Sequence, residues 1–276
     1  MTSRLISTSS RRNHRRPILL AWLLPCTALL WPCALLGQTV AVRHAEGLVH
    51  GFLTLKTLDG TPLADGDLIQ TARGDRVTTR LVFHFKDGSI HDETVVYSQG
   101  QRIRLMTFHL LQKGPVFPQP LEMSIDGSSG ECTVRYADAG KQKVETEHID
   151  VPPDLANGLI PTLLRNVEAG GMPKTVSFVV PTPKPRLVKL AITAAGDEPF
   201  STGGAGRKAT HYVVKVEIGG ISGMLAPLVG KQPPDSHVWI LGGEAPAFVK
   251  SEQPLYLGGP LWRIELVSPV WPRTAR

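Results

Sequence analysis

The sequence predicts a mainly β fold: a large curved antiparallel sheet, an open half-barrel or a sandwich-like arrangement, with one or two short covering helices. Three observations predict it. From His50 to Ile149 short runs of β-branched and aromatic residues alternate with Gly-, Asp- and Pro-containing turns, at the roughly 8–12-residue spacing of antiparallel hairpins. One helical pattern interrupts them, between Pro152 and Gly170, and the β pattern then resumes from Lys174 towards the end of the chain.

The first element in chain order is a leader. Arg4, Arg11, Arg12, Arg15 and Arg16 precede an apolar run from Ile18 to Gly37, the basic-then-apolar form of a secretory signal peptide. The expected organisation is a signal peptide over 1–37 and a single antiparallel β-rich domain over 38–276. At 20 residues the apolar run is also long enough to cross a bilayer, so retention as an anchor is the alternative. Pro25 and Pro32 break its helix, and small residues at Gly37, or at Thr39 and Ala41, suit cleavage. The implied address is extracytoplasmic, periplasmic or secreted, with membrane attachment only through this segment if it is kept.

The leader also changes the composition. Five of the 30 basic residues and none of the 24 acidic ones precede Gln38, which leaves 25 against 24. A basic surface for nucleic acid is therefore not expected. Cys26 and Cys33 belong to the leader, so Cys132 is alone in the domain and no intramolecular disulfide can form there. It lies at the start of a strand-like run, where it reads as a small core residue rather than a nucleophile.

Strands are expected at 51–57, across a four-strand meander over 67–111, and at 119–125, 132–138 and 142–149. The clearest hairpin joins Thr78–Lys86 to Ser89–Tyr97 through Asp87-Gly88. A two-residue turn there places Phe85 opposite Ile90 and His84 opposite His91. The helical pattern follows Asp154 through Leu155, Leu159, Ile160, Leu163, Leu164 and Val167, and Pro161 should divide it into two turns before and a second piece after. Later strands are expected at Lys174–Val180, Arg186–Ala194, Thr210–Ile218, Ser236–Leu241, Ala247–Glu252 and Leu261–Val267. Ser201–Gly206 reads as a mobile hairpin end; it lies between strands and opens no helix, unlike a phosphate loop.

Three constellations carry candidate chemistry. His84 and His91, brought to about 5 Å by the expected pairing, could bind Zn²⁺ with Glu93; on the solvent face, Glu93 would instead pair with Arg80. Ser201, His211 and Asp197 supply hydrolase residue types without a nucleophile elbow. Arg102–Leu111 turns apolar on both faces from Leu105 onward, so it needs cover on both. Left partly open, Leu105, Met106, Phe108 and Leu110, with Leu159 and Leu163 of the helix, would line an apolar ligand groove. Trp239, Trp262 and Trp271, with Tyr256 and Phe248, could form a sugar-stacking surface or serve as core anchors.

The ending Val238-Trp239-Ile240-Leu241, Ala245–Val249 and Trp262–Val267 resembles that of secreted bacterial domains of unknown function, related to the lipoprotein-carrier-like open half-barrel. That resemblance implies a curved sheet with a helical plug, whose concavity in the carriers holds acyl chains. It implies no catalytic residue and no cofactor. The leading reading is an exported, non-catalytic cell-envelope domain that binds an apolar, acyl-chain-like ligand or an envelope protein partner. A structural or adhesive, glycan-contacting module comes second, and a metal-dependent or hydrolytic enzyme third.

Overall fold

Alternation of apolar and polar residues gives most of this chain a strand's two faces, and pairing those strands in sequence order builds one sheet. The computed structural model describes residues 39–167, 174–202, 205–217 and 233–267. The leader, Gly203–Gly204, Gly219–Gly220, Met224–Val229 and Trp271 lie outside them. Among the described residues fourteen strands are formed: β1 (Val49–Thr57), β2 (Pro62–Arg73), β3 (Arg76–Phe85), β4 (Ile90–Gln99), β5 (Ile103–Lys113), β6 (Leu121–Asp126), β7 (Glu131–Asp138), β8 (Lys141–His148), β9 (Lys174–Val180), β10 (Arg186–Thr202), β11 (Ala205–Glu217), β12 (Ser236–Leu241), β13 (Ala247–Gln253) and β14 (Trp262–Val267). The helix α1 (Ile160–Asn166) stands between β8 and β9.

The strands follow the order β8-β7-β6-β5-β4-β3-β2-β1-β14-β13-β12-β11-β10-β9. Every neighbour is next in sequence except at the centre, where β1 pairs antiparallel with β14. The expected mainly β class is therefore what forms: among the described residues, one antiparallel sheet, left open between β8 and β9, with one short helix. Buried residues of β3–β7, α1 and β9–β12 pack into a single cluster, so the sheet curls and its inner face closes on the helix. A second cluster joins Leu53, Leu55, Phe83, Phe85, Phe117, Trp262 and Ile264 beside it.

The helix begins where the sequence suggested a break. Pro161 occupies its first turn, where a missing N–H costs nothing and the fixed φ suits the helix. Upstream, in place of helix, Leu155 forms a parallel bridge with Ser177 of β9, between turns at Pro153-Asp154 and Asn157–Leu159. Ala156 N–H bonds to Ser177 O at 2.9 Å and Ser177 N–H to Asp154 O at 3.1 Å. The Asn157 side chain then imitates a strand, donating to Val179 O at 2.8 Å and accepting Val179 N–H at 2.9 Å. That cover satisfies the β9 edge. The β8 edge has no neighbour among the described residues.

Gly158 links this cover to the helix with φ +68, a conformation glycine adopts at no steric cost. A Cβ here would stand 3.1 Å from both Glu93 Oε1 and Val95 Cβ.

A strap, Thr39–Glu46, seals one end of the inner face. Val40 is buried in the main cluster, and its carbonyl accepts Ile103 N–H at 3.0 Å. Asn166 Oδ1 accepts the backbone N–H groups of Arg43 and His44 at 2.7 and 2.9 Å. Glu46 meets Arg165 of α1 at 2.6 Å and accepts Gln70 Nε2 at 3.0 Å.

One register departs from expectation. His84 lies opposite Ile90, and Phe83 opposite His91, one residue from the expected pairing. The connection is a three-residue loop, Lys86–Gly88, in which Phe85 N–H bonds to Ser89 O and Gly88 adopts φ +85. The Asp87 carboxylate holds Ser89 N–H at 2.9 Å, and the buried Ser89 hydroxyl accepts Val116 N–H at 3.0 Å. Because side chains alternate, this single-residue slip turns His84 and His91 to opposite faces.

Candidate ligand groove

The register builds a groove on the outer face of β1–β5, the face turned away from α1. Its lining forms three cross-strand rows. The first is His84, Ile90 and Lys113; the second is Asp67, Val82, Asp92 and Leu111; the third is His50, Ile69 and Arg80. These ten residues enclose a cavity of about 510 Å³. Successive rows stand two residues apart along each strand, about 7 Å.

The charges in the groove are unevenly committed. Arg80 clasps Asp92 with both arms, Nε to Oδ1 at 3.0 Å and Nη2 to Oδ2 at 2.6 Å. That pairing holds the Asp92 carboxyl below its usual range and the guanidinium above its own. His50 reaches Asp67 at 3.4 Å. Both acids are thus engaged, while His84 and Lys113, in the first row, are exposed and take no side-chain hydrogen bond or ion pair among the described residues. Between them Ile90, and behind it Val82 and Leu111, present aliphatic surface, continued by Ile69, which is 47% exposed. The result is an aliphatic floor with the Lys113 ammonium and the His84 imidazole open at one end.

The metal constellation does not assemble. His84 belongs to this outer groove, whereas His91 and Glu93 point inward. His91 is buried, its Nδ1 sharing a 3.1 Å hydrogen bond with Gln112 Nε2, and burial pushes its pKa down to about 4. Gln112 in turn donates to Leu255 O at 2.6 Å. Glu93 faces Leu81 and Leu110 across the sheet, and desolvation raises its pKa to about 7. Arg80 pairs with Asp92 rather than Glu93. No group of three metal-competent side chains occurs among the described residues.

The expected acyl surface is core. Leu105, Phe108, Leu110, Leu159 and Leu163 are all buried and belong to the main cluster. α1 and the residues leading into it cover the inner face of β5, while Leu111, on its outer face, lines the groove. Met106, partly buried, is the extra residue of a bulge, since Val96 lies opposite Thr107 but Tyr97 opposite Leu105.

A second polar cluster lies on the outer face of β10–β13. His211 Nδ1 meets Glu198 Oε1 at 3.0 Å, its Nε2 lies 2.9 Å from His237 Nδ1, and Trp239 Nε1 donates to Glu198 Oε2 at 2.8 Å. Desolvation lowers the His211 pKa although Glu198 opposes it. Asp197 instead accepts Thr210 Oγ1, so the hydrolase grouping is not formed around His211. Trp239 is stacked on His211, with centroids 4.4 Å apart, and carries Lys250 Nζ 4.1 Å from its ring centre. Those two partners come from the strands on either side of β12, so both ring faces are occupied. Trp262 is buried against Phe85 and Tyr256. Neither ring offers a face to a sugar.

Cys132 is a core residue of β7, and burial lifts its thiol pKa to about 11. The sequence signal that could have revealed the groove was the outward set of β3 and β4, Arg80, Val82, His84, Ile90 and Asp92. Reading it required the three-residue loop.

No protein-family model matches the chain, and no curated protein matches it. Among solved structures, the chain is similar to a β-barrel-like protein of domain of unknown function DUF1849 from Brucella abortus. The TM-score is 0.44 at 11% identity, over 81% of this chain and 98% of that one. That structure is of a β-barrel-like domain of unknown function, and at this distance the likeness assigns no residue a role.

Proposed function

We propose that the chain is an exported, non-catalytic binding domain of the cell envelope, and that its outer groove takes an acyl chain with an anionic head. The leader supports the address. The site is supported by one observation: the groove joins an aliphatic floor to His84 and Lys113, two nitrogen-bearing side chains with no ion pair among the described residues, while Asp92 is held by Arg80 and Asp67 lies 3.4 Å from His50. An anionic head would sit between His84 and Lys113, and the chain would lie along Ile90, Val82, Leu111 and Ile69. The binding surface thereby moves from the inner face, which α1 fills, to the outer one.

The test compares decanoate with decanol in calorimetric titration of the purified protein. Decanoate should bind at least about tenfold more tightly, as expected when a charged hydrogen-bonding partner is gained. Lys113→Glu should remove that preference. Equal binding of the two ligands, or binding of neither, would discard the groove as a site for anionic amphiphiles.

A further inference from the structure

The two edges of the sheet are treated differently. At β9 the segment Asp154–Asn157 covers the edge with backbone and side-chain hydrogen bonds, whereas β8 ends the sheet with no neighbour among the described residues. An uncovered strand offers a row of unpaired N–H and C=O groups to any chain that matches it. Natural edges are blunted with charge, and β8 is charged. The arrangement of those charges, however, is symmetric. The strand reads Lys141, Gln142, Lys143, Val144, Glu145, Thr146, Glu147, with two cations before the valine and two anions after it at mirror positions.

We infer that β8 is a self-recognition strand, pairing antiparallel with β8 of a second copy of this chain about a two-fold axis at Val144. In that register Lys143 of each copy faces Glu145 of the other, Lys141 faces Glu147, Gln142 faces Thr146, and the two valines meet on the axis. Partners directly opposite in an antiparallel ladder share a face, so all four ion pairs fall on one side of the joined sheet. Other registers lose this. A slip by one residue sets Glu145 against Val144 or Lys143 against Val144. A shift of the axis to residue 143 or 145 opposes two lysines or two glutamates.

Accessibility agrees with the pairing. Val144 is 58% exposed, an apolar side chain on an otherwise charged edge. Every residue of β8 except Glu145 is exposed, and Glu145 is only partly covered. Lys143 is paired with Asp138 of its own β7; that contact lies at the surface, where exchange for an equivalent intermolecular partner costs little. Glu145 and Glu147 take no salt bridge among the described residues. A closed two-fold pairing also consumes the edge, so the association stops at two copies.

The measurement is sedimentation equilibrium of the purified full chain at low and high salt. Dimers should form and weaken as salt rises. Lys143→Glu alone, or Glu145→Lys alone, turns two facing ion pairs into like-charge pairs, and each should weaken dimerisation about tenfold or more. The double variant K143E/E145K restores opposite charges in every pair and should restore the dimer. Circular dichroism checks that each variant is folded, with Lys143→Gln and Glu145→Gln replacing any swap that is not. A monomer under all conditions overturns the inference. So does association unmoved by the single swaps, as association through the leader would be, or a double variant no better than the singles.

Discussion

The guanidinium of Arg165, in the helix, stands 2.6 Å from the carboxylate of Glu46, in the strap, and Glu46 is only 7% exposed. This ion pair ties the inner plug to the strap across the mouth of the curled sheet. Truncating a paired charge leaves its partner buried and uncompensated, the costly outcome for such pairs. Arg165→Ala should therefore destabilise the protein by about 3 kcal/mol, measured as a shift in urea unfolding. The Arg165→Met and Glu46→Leu double variant should recover most of the loss. A change below about 0.5 kcal/mol for the single variant would show that water solvates Glu46 as it does a surface pair.

Asn157 makes the second prediction. Its buried amide satisfies both the N–H and the C=O of Val179 at the β9 edge. Asn157→Ala orphans both groups, at a cost of roughly 2–4 kcal/mol from two unmet buried partners. Because it also bares an edge, the variant should aggregate on warming where the parent unfolds reversibly. Light scattering alongside a thermal melt reads both effects, and an unchanged melting temperature would contradict them.

His91 and Glu93, two residues apart on one face, titrate in opposing senses. His91 falls to about 4 from an ordinary 6.5, so the unfolded chain binds a proton that the folded one does not; stability is complete above pH 6.5 and is lost as pH falls through 4. Glu93 rises to about 7 from 4.5, so the folded state holds the extra proton, and stability declines as pH rises from 4.5 through 7. The two contributions offset each other between pH 4.5 and 6.5. Glu93→Gln should raise stability at pH 8 by about 3 kcal/mol and change little at pH 4. Denaturant titrations at the two pH values decide it, and equal shifts at both would refute the assignment.

Much of the fold was legible because strand alternation is a local signal. β9 and β12 fall on their expected bounds, and β1, β4, β7 and β13 within a residue or two of theirs. What could not be read were features set by contacts distant in sequence. The stretch before Pro161 has helical periodicity, yet it turns and bridges to Ser177 through Leu155, because the β9 edge offers backbone partners that a helix could not reach. The Asp87-Gly88 signal located its turn correctly but not its length, since the buried hydroxyl of Ser89 is held by Val116, well beyond the hairpin. That one residue decided the candidate site: it separated His84 from His91 and set His84 in one row with Lys113, across Ile90. Leu105 and Leu110 of β5 take their cover from α1 and the residues leading into it, while Leu111 faces the outer groove.

The pairing of β1 with β14 sets the order in which the molecule can be completed. Lys56 and Glu265, which meet at 3.0 Å across that seam, are 209 residues apart in the chain. β1 to β8 can zip together by local hairpins, and so can β9 to β14, but the seam closes a loop of nearly the whole domain and carries its entropy. As the chain emerges from its N-terminus, the β1 edge stays bare until the last strand arrives. This makes the seam the expected slow step of folding, and the interval before it closes the period when a holding factor would matter most to the protein's survival.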